Sequence, residues 1–216
     1  MERGTHGWLS RAPSCAMVIS AADIKEHIRP VHWLANKRFG ETCRVAFFLL
    51  ILLSVWVERT NADSFEEATI KAAFVLNFAK FTTWPADAFA GPDADIELWV
   101  MGDATVQRAF ASIDGETVGS RKIHVRYGSL VSSGDPCHML FAARDVQRSI
   151  LTEFLAIIHD RPVLSVGEMT DFIRLGGIIN IFSKDGRFCF EIKPTAADRR
   201  GLQISSRLLK LAIVID

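Results

Sequence analysis

From Glu66 to about Thr83 the apolar positions recur with a helical spacing. Ile70, Ala73, Phe74, Asn77, Phe78 and Phe81 fall at i, i+3, i+4, i+7, i+8 and i+11, which predicts a helix with one continuous buried face. Ser64 with Glu67 three residues later has the pattern of a capping box. Glu66-Glu67 also suits the positive end of the helix dipole. Pro85 disfavours helical geometry at Trp84, so the helix is expected to stop there. Ala86–Asp95, with Gly91-Pro92 inside it, reads as a loop.

Shorter periods follow. Ile96–Met101 reads as a strand, Asp103 as the cap of a helix to about Ile113, and Lys122–Tyr127 as an alternating strand. Cys137–Phe141 and Pro162–Val166 are short apolar runs of strand type. Between them Asp145 is expected to cap a helix to about His159, with Val146, Ile150, Phe154, Ile157 and Ile158 inward. A short helix fits Met169–Leu175. Gly177–Ser183 and Arg187–Ile192 flank Lys184-Asp185-Gly186, a hairpin with an Asp-Gly turn. Pro194 opens a short helix ending near Gly201. The last helix, about Ile204 to Ile213, sets Ile204, Leu208, Leu211 and Ile215 on one side. Helices alternating with short apolar strands predict a single three-layer α/β/α domain with a mainly parallel sheet and a late antiparallel hairpin.

One apolar run breaks this rhythm. Val45–Val57 carries no charge, follows Lys37-Arg38 and Arg44, and is closed by Glu58-Arg59 and the small-residue site Thr60-Asn61-Ala62. That is the order of a secretory signal peptide. At 1.5 Å per residue the run spans roughly 20 Å, short of the ~30 Å a membrane helix must cross. The expectation is cleavage after Ala62 and a periplasmic domain over residues 63–216 that is not embedded in the membrane. Met1–Cys43 is long for a leader, and Met17 offers an alternative start.

Removing the leader changes the charge. Residues 63–216 hold 17 Lys and Arg against 20 Asp and Glu, a formal −3, and no basic stripe. This disfavours nucleic acid, whose binding rests on neutralised phosphates. Cys15 and Cys43 belong to the leader. Cys137 and Cys189 remain, each in an apolar run, and are either a disulfide or two small buried side chains.

Candidate chemistry is sparse. His124, His138 and His159 sit in no metal-ligand spacing, and the glycines form neither a dinucleotide fingerprint nor a P-loop. Ser165, in Leu-Ser-Val-Gly, lacks the first glycine of a nucleophile elbow, and a hydrolase would need a histidine within hydrogen-bond reach of it. The expectation is no catalytic residue, metal or cofactor. Three features exceed a structural reading. Asn77 lies on the expected apolar face, where its amide needs a partner, as a structural clamp or a pocket residue. Phe78, Phe81 and Trp84 crowd one helix end beside Lys80. Ser205-Ser206-Arg207-Leu208-Leu209-Lys210 sets two cations beside hydroxyls.

These segments also carry a resemblance. Lys71-Ala-Ala-Phe-Val-Leu-Asn-Phe-Ala-Lys-Phe-Thr-Thr-Trp-Pro85 resembles the KAAFLYNFxKFxxWP opening of YfiR-like proteins. Cys137–Phe141, Arg161–Val166, Gly176–Asn180, Phe190–Ile192 and Gly201–Ala212 are similar to that family's later blocks, in the same order. The resemblance implies a small periplasmic α/β protein, often a homodimer, without known catalysis. It implies binding to the periplasmic part of an inner-membrane diguanylate cyclase, which is held inactive until redox or envelope signals release it. Cyclic di-GMP and biofilm formation then rise. Well-studied members carry two disulfides, whereas two cysteines remain here, and some members serve other sensor partners. If the two terminal motifs lie close together, Phe78, Phe81, Trp84, Arg207 and Lys210, with Asn77 and Lys80 beside them, are the expected contact residues. The rival is a small-ligand sensor component reporting to a kinase or transporter, with Asn77 and Arg207 facing a pocket.

Overall fold

The computed structural model describes residues 63–128 and 134–216. The expected leader, with its apolar run 45–57 and the expected cleavage site after Ala62, lies outside the described residues. Helix α1 (63–80) leads into a two-residue strand β1 (Thr82–Thr83). Then come β2 (Ile96–Met101), α2 (Ala104–Phe110), β3 (Thr117–Val118), β4 (Arg121–Tyr127), β5 (Met139–Ala142), α3 (Arg148–Ile157) and β6 (Leu164–Gly167). The hairpin β7 (Ile179–Lys184) and β8 (Arg187–Ile192) precedes α4 (Pro194–Asp198), β9 (Gln203–Ile204), α5 (Ser206–Leu209) and β10 (Ile213–Val214).

Eight strands form one sheet in the order β10-β8-β7-β6-β5-β2-β4-β3. From β4 through β2, β5 and β6 to β7 every pairing is parallel; β8 returns antiparallel to β7, and β3 lies antiparallel to β4. The order reverses at β2, with β4 on one side and β5 on the other, as in doubly wound α/β sheets. This bears out the expected mainly parallel sheet and late hairpin.

Alternation along the strands sorts side chains into two cores. Ile96, Leu98, Val100, Met139, Phe141, Leu164, Val166, Ile179 and Ile181 face α1, α2, α4 and α5. Met101, Leu140 and Ala142 face α3, where Leu151, Phe154, Leu155 and Ile158 close over them. β5 and β6 are buried on both faces, so they read as unbroken apolar runs. β4 is covered on one face alone, which leaves Lys122, His124 and Arg126 exposed. Each fully buried Phe or Leu contributes roughly 1.5–3 kcal/mol.

Local chemistry fixes several joints. Asp103 caps α2, accepting from the N–H groups of Thr105 and Val106, both at 2.9 Å. Asp185 and Gly186 have φ of 53° and 72°, the left-handed pair a two-residue type I′ hairpin turn requires. Gly167 and Gly177 flank the Phe172 ring; a Cβ at either would stand 2.3 or 2.2 Å from it, so neither position accepts a side chain.

Five expectations are corrected. The inward face of α1 is Ala68, Lys71, Ala72, Val75, Phe78 and Ala79, whereas Ile70, Ala73 and Asn77 are exposed. Small residues face the sheet because they let the helix approach it closely, and Phe74 fills the flank against Phe78, Phe188 and Phe190. Helix α1 ends at residue 80 and already includes Ser64, so Ser64 is not its cap and Thr83 is strand. Asp145 caps nothing: Gln147 is the N-cap residue of α3. Met169–Leu175 is a series of turns wound around Phe172. The last helix is one turn, Ser206–Leu209, because Ile204 is taken by β9 and the β-branched Ile213-Val214 adds strand β10 at the sheet edge.

Candidate functional site

The two motifs that are furthest apart in the domain meet. β1 pairs antiparallel with β9, Thr82 opposite Ile204 and Thr83 opposite Gln203, and the Ser205 N–H donates to the Phe81 carbonyl at 2.9 Å. Each side is prepared locally. Thr82 Oγ1 donates to the Phe78 carbonyl (2.8 Å), ending α1 and turning the chain out as a strand. On the other side Gly201, at φ 73°, reverses the chain after α4, and the Ser205 hydroxyl accepts from the Arg207 N–H at 3.3 Å to start α5.

Around this ribbon the expected residues divide. Asn77, Lys80, Arg207 and Lys210 are exposed, and Phe81 and Trp84 are half-buried. Phe78 is 1% exposed and 5.0 Å from Phe190 in ring-centroid distance, so it is a core residue and leaves the contact set. Asn77, facing solvent, is neither the buried clamp nor the pocket amide expected of it. Trp84 is held by its indole N–H, which donates to the His138 carbonyl at 3.2 Å.

His138 anchors the neighbouring loop. Its Nδ1 accepts from the Glu97 N–H at 2.9 Å and its Nε2 lies 3.1 Å from the Ala88 carbonyl, so Nε2 carries the proton. The ring stacks on Phe89 at 4.5 Å, and the Arg121 guanidinium covers the far face of Phe89 at 3.7 Å while donating to the carbonyls of Gly91 and Ala94. Burial holds the His138 pKa below its ordinary value. His124, by contrast, points to solvent beside Asp114 at 3.5 Å, and His159 lies 2.7 Å from Asp160.

Other polar groups were missed from sequence. Lys71 Nζ lies 2.6 Å from Glu168 Oε2, with both side chains buried, joining α1 to the end of β6. Arg144 reaches the same oxygen at 3.3 Å. Arg200 is buried and donates to the carbonyls of His159, Val163 and Gly176 and to the Ser165 hydroxyl, tying α4 to α3 and β6. A lysine inside an apolar helical stripe is the one signal that could have exposed the first pair. Ser165 also accepts from the Ile178 N–H at 3.1 Å; fully buried and held this way, its hydroxyl is part of the frame.

A cleft of about 610 Å³ opens beyond the carboxyl ends of β5 and β6, lined by Arg144, Arg148, Glu168, Asp171 and Phe182 among others. Its guanidinium groups are engaged within the cleft: Arg148 reaches Asp171 at 3.0 Å as Arg144 reaches Glu168. Neither Asn77 nor Arg207 lines it. Among the described residues no group of three or more His, Cys, Asp or Glu could hold a metal ion, and no helix is long and apolar enough to cross a membrane.

The cysteines are not joined to each other. Cys189 lies on β8 and Cys137 just before β5, three strand positions apart, or about 14 Å at ~4.8 Å per strand. A disulfide needs Cα atoms within roughly 7 Å, so the pair cannot close within this fold. Burial pushes the Cys137 thiol up to about 12, which keeps it protonated and unreactive.

The chain matches the family model described as YfiR/HmsC-like over residues 68–213, which spans α1 from its first inward residue to β10. No curated protein matches it. Proteins of that family are periplasmic regulators of diguanylate cyclases, regulatory rather than catalytic. The matched segment contains both halves of the β1–β9 ribbon and the large sheet from β2 to the first residue of β10, and the chain belongs to the YfiR/HmsC-like family.

Proposed function

We propose that this chain is exported to the periplasm, where it binds the periplasmic segment of an inner-membrane diguanylate cyclase and holds the enzyme inactive, lowering cyclic di-GMP. Its cleaved form, residues 63–216, acts as a homodimer and by binding alone, without catalysis. The observation that carries the reading is family membership over nearly the whole domain, joined to a ribbon that gathers the two terminal motifs into one exposed surface. Asn77, Lys80, Phe81, Trp84, Arg207 and Lys210 form the contact set. Inhibition needs differential affinity: to move a cyclase from half active to about 1% active, the protein must prefer the off state roughly 100-fold, about 2.7 kcal/mol.

A second reading, a small-ligand sensor component reporting to a kinase or transporter, is favoured by the cleft at Arg144 and Arg148. The mutual pairing of its charges leaves less for a ligand to gain there. Capture from solubilised envelope membranes with mass spectrometry separates the two. Retention of a membrane protein with a periplasmic segment and a cytoplasmic cyclase domain supports inhibition by binding; retention of a kinase or transporter, or of no membrane protein, supports the sensor reading.

A further inference from the structure

We infer that the exposed face around the β1–β9 ribbon docks an acidic protein segment, with Lys80, Arg207 and Lys210 reading its carboxylates. This rests on the inhibitor reading above and adds the chemistry of the segment that is bound.

Charge is segregated in this domain. Residues 63–216 carry a formal −3, yet no Asp or Glu occurs from Ile70 to Ala86 or from Arg199 to Ile215. The ribbon brings these two acid-free stretches together. The Ser205 N–H donates to the Phe81 carbonyl at 2.9 Å, so Lys80, the last residue of α1, and Arg207, in the single turn of α5, each lie within two residues of one hydrogen bond. Lys210 follows Arg207 one turn later, on the same side of α5. All three cations are exposed, and none makes an ion pair with a described residue. Arg126, Arg144 and Arg148 elsewhere each have a carboxylate partner. The acids that flank these stretches in sequence are Glu67, Asp87, Asp198 and Asp216. Phe81, half-buried, and Leu211, 57% exposed, add apolar area at its centre and margin.

A like-signed, unneutralised surface steers an oppositely charged partner and repels others. An anionic membrane leaflet fits less well. Three cations give only marginal attraction to it, and stable anchoring needs a second signal. The exposed Ile213 and Val214 are successive strand residues pointing to opposite faces of β10, so they form no common face to insert.

The test captures the solubilised cyclase with the full chain as the cell exports it, at 50 and 500 mM NaCl. It compares wild type with the triple reversal Lys80→Glu, Arg207→Glu, Lys210→Glu, with the neutral Gln series at the same positions, and with the control Lys122→Glu, Lys184→Glu on exposed lysines elsewhere. The expected result is about tenfold weaker capture at high salt, about tenfold or more lost per reversed charge, smaller losses in the Gln series, and no change in the control. All substituted side chains are exposed, and unchanged denaturation midpoints check the fold. Capture that resists both salt and reversal overturns this inference and leaves the inhibitor reading standing. Absence of any cyclase from the wild-type capture overturns both. Reversal that abolishes binding to phosphatidylglycerol vesicles, with cyclase capture intact, assigns the cations to lipid and overturns the inference.

Discussion

The ribbon and the cleft present similar side chains to opposite effect. At the cleft Arg144 and Arg148 stand over Glu168 and Asp171, and each guanidinium is engaged by a carboxylate of the same chain. At the ribbon Lys80, Arg207 and Lys210 make no ion pair with a described residue, and no Asp or Glu lies within five positions of any of them in sequence. A cation that is already paired must lose a partner before it can gain one, so a ligand at the cleft is offset by the contact it displaces. A solvated, unpaired cation has only water to lose. Concavity draws attention to the cleft, while charge bookkeeping draws it to the flat ribbon.

The largest expected effect breaks the side of this comparison that looks self-contained. Lys71→Ala removes the buried partner of Glu168 and leaves a carboxylate with 3% of its side chain exposed beside Arg144 alone. Loss of one member of such a pair costs about 3–5 kcal/mol, and Arg144 places this case at the lower end. Urea denaturation measures it. The double variant Lys71→Met, Glu168→Gln is expected to recover most of the loss, since no charge is then left buried; equal instability of single and double variants would show that packing, not charge, governs this joint.

The loop that His138 anchors beside the ribbon is the next place to probe. His138→Ala orphans the Glu97 N–H and the Ala88 carbonyl and removes the ring beneath Phe89, a cost of about 1–3 kcal/mol. Acid does the same job reversibly. Burial lowers the folded pKa, Arg121 and Arg161 lower it further, and the Ala88 hydrogen bond and Glu97 oppose them. Below about pH 6.5 the unfolded imidazole therefore takes up a proton that the folded one resists, so the unfolded state binds more protons and stability rises with pH. The contribution is complete above about 6.5 and is lost as pH falls toward the folded value. Denaturation from pH 7.5 to 5 is expected to decline more steeply for wild type than for His138→Gln; parallel slopes would mean that another group governs acid sensitivity.

What could be read from sequence follows the range of the interaction. The Asp103 cap and the Asp185-Gly186 turn depend on residues within three positions, and both were legible. The parallel strands were legible as apolar runs because both faces of β5 and β6 are covered. The rotation of α1 was not, because the pattern credits bulky side chains while the sheet selects Ala68, Ala72 and Ala79. Two-residue strands such as β1 and β9 have no period to detect, although their motifs pointed to the right segments. Lys71 and Glu168 are 97 positions apart, and nothing local announces that they meet.

Arg148→Ala tests how much the cleft's pairing is worth. With Arg148 57% exposed, its bridge to Asp171 contributes about 0–1 kcal/mol, and 0.5 M NaCl should erase most of that. A loss above 2 kcal/mol would make the cleft a structural joint.

The smallest expected stability effect belongs to the ribbon, and there the comparison is sharpest. Lys80→Ala, Arg207→Ala and Lys210→Ala should each leave the denaturation midpoint within about 0.5 kcal/mol of wild type, because these exposed side chains make no ion pair with a described residue. Lys80 and Lys210 in addition carry no capping contact, and the Arg207 contact to Ser205 is made by its backbone and survives truncation. Free energy kept out of folding is available for association. Residues retained at no benefit to stability should then show their effect in capture of the membrane partner, where like-charge reversal is felt at full strength, while Arg148→Ala should change stability slightly and capture not at all. If the two sets instead exchange these behaviours, with ribbon truncations destabilising and Arg148→Ala abolishing capture, the paired cleft is the binding surface and the unpaired ribbon the scaffold.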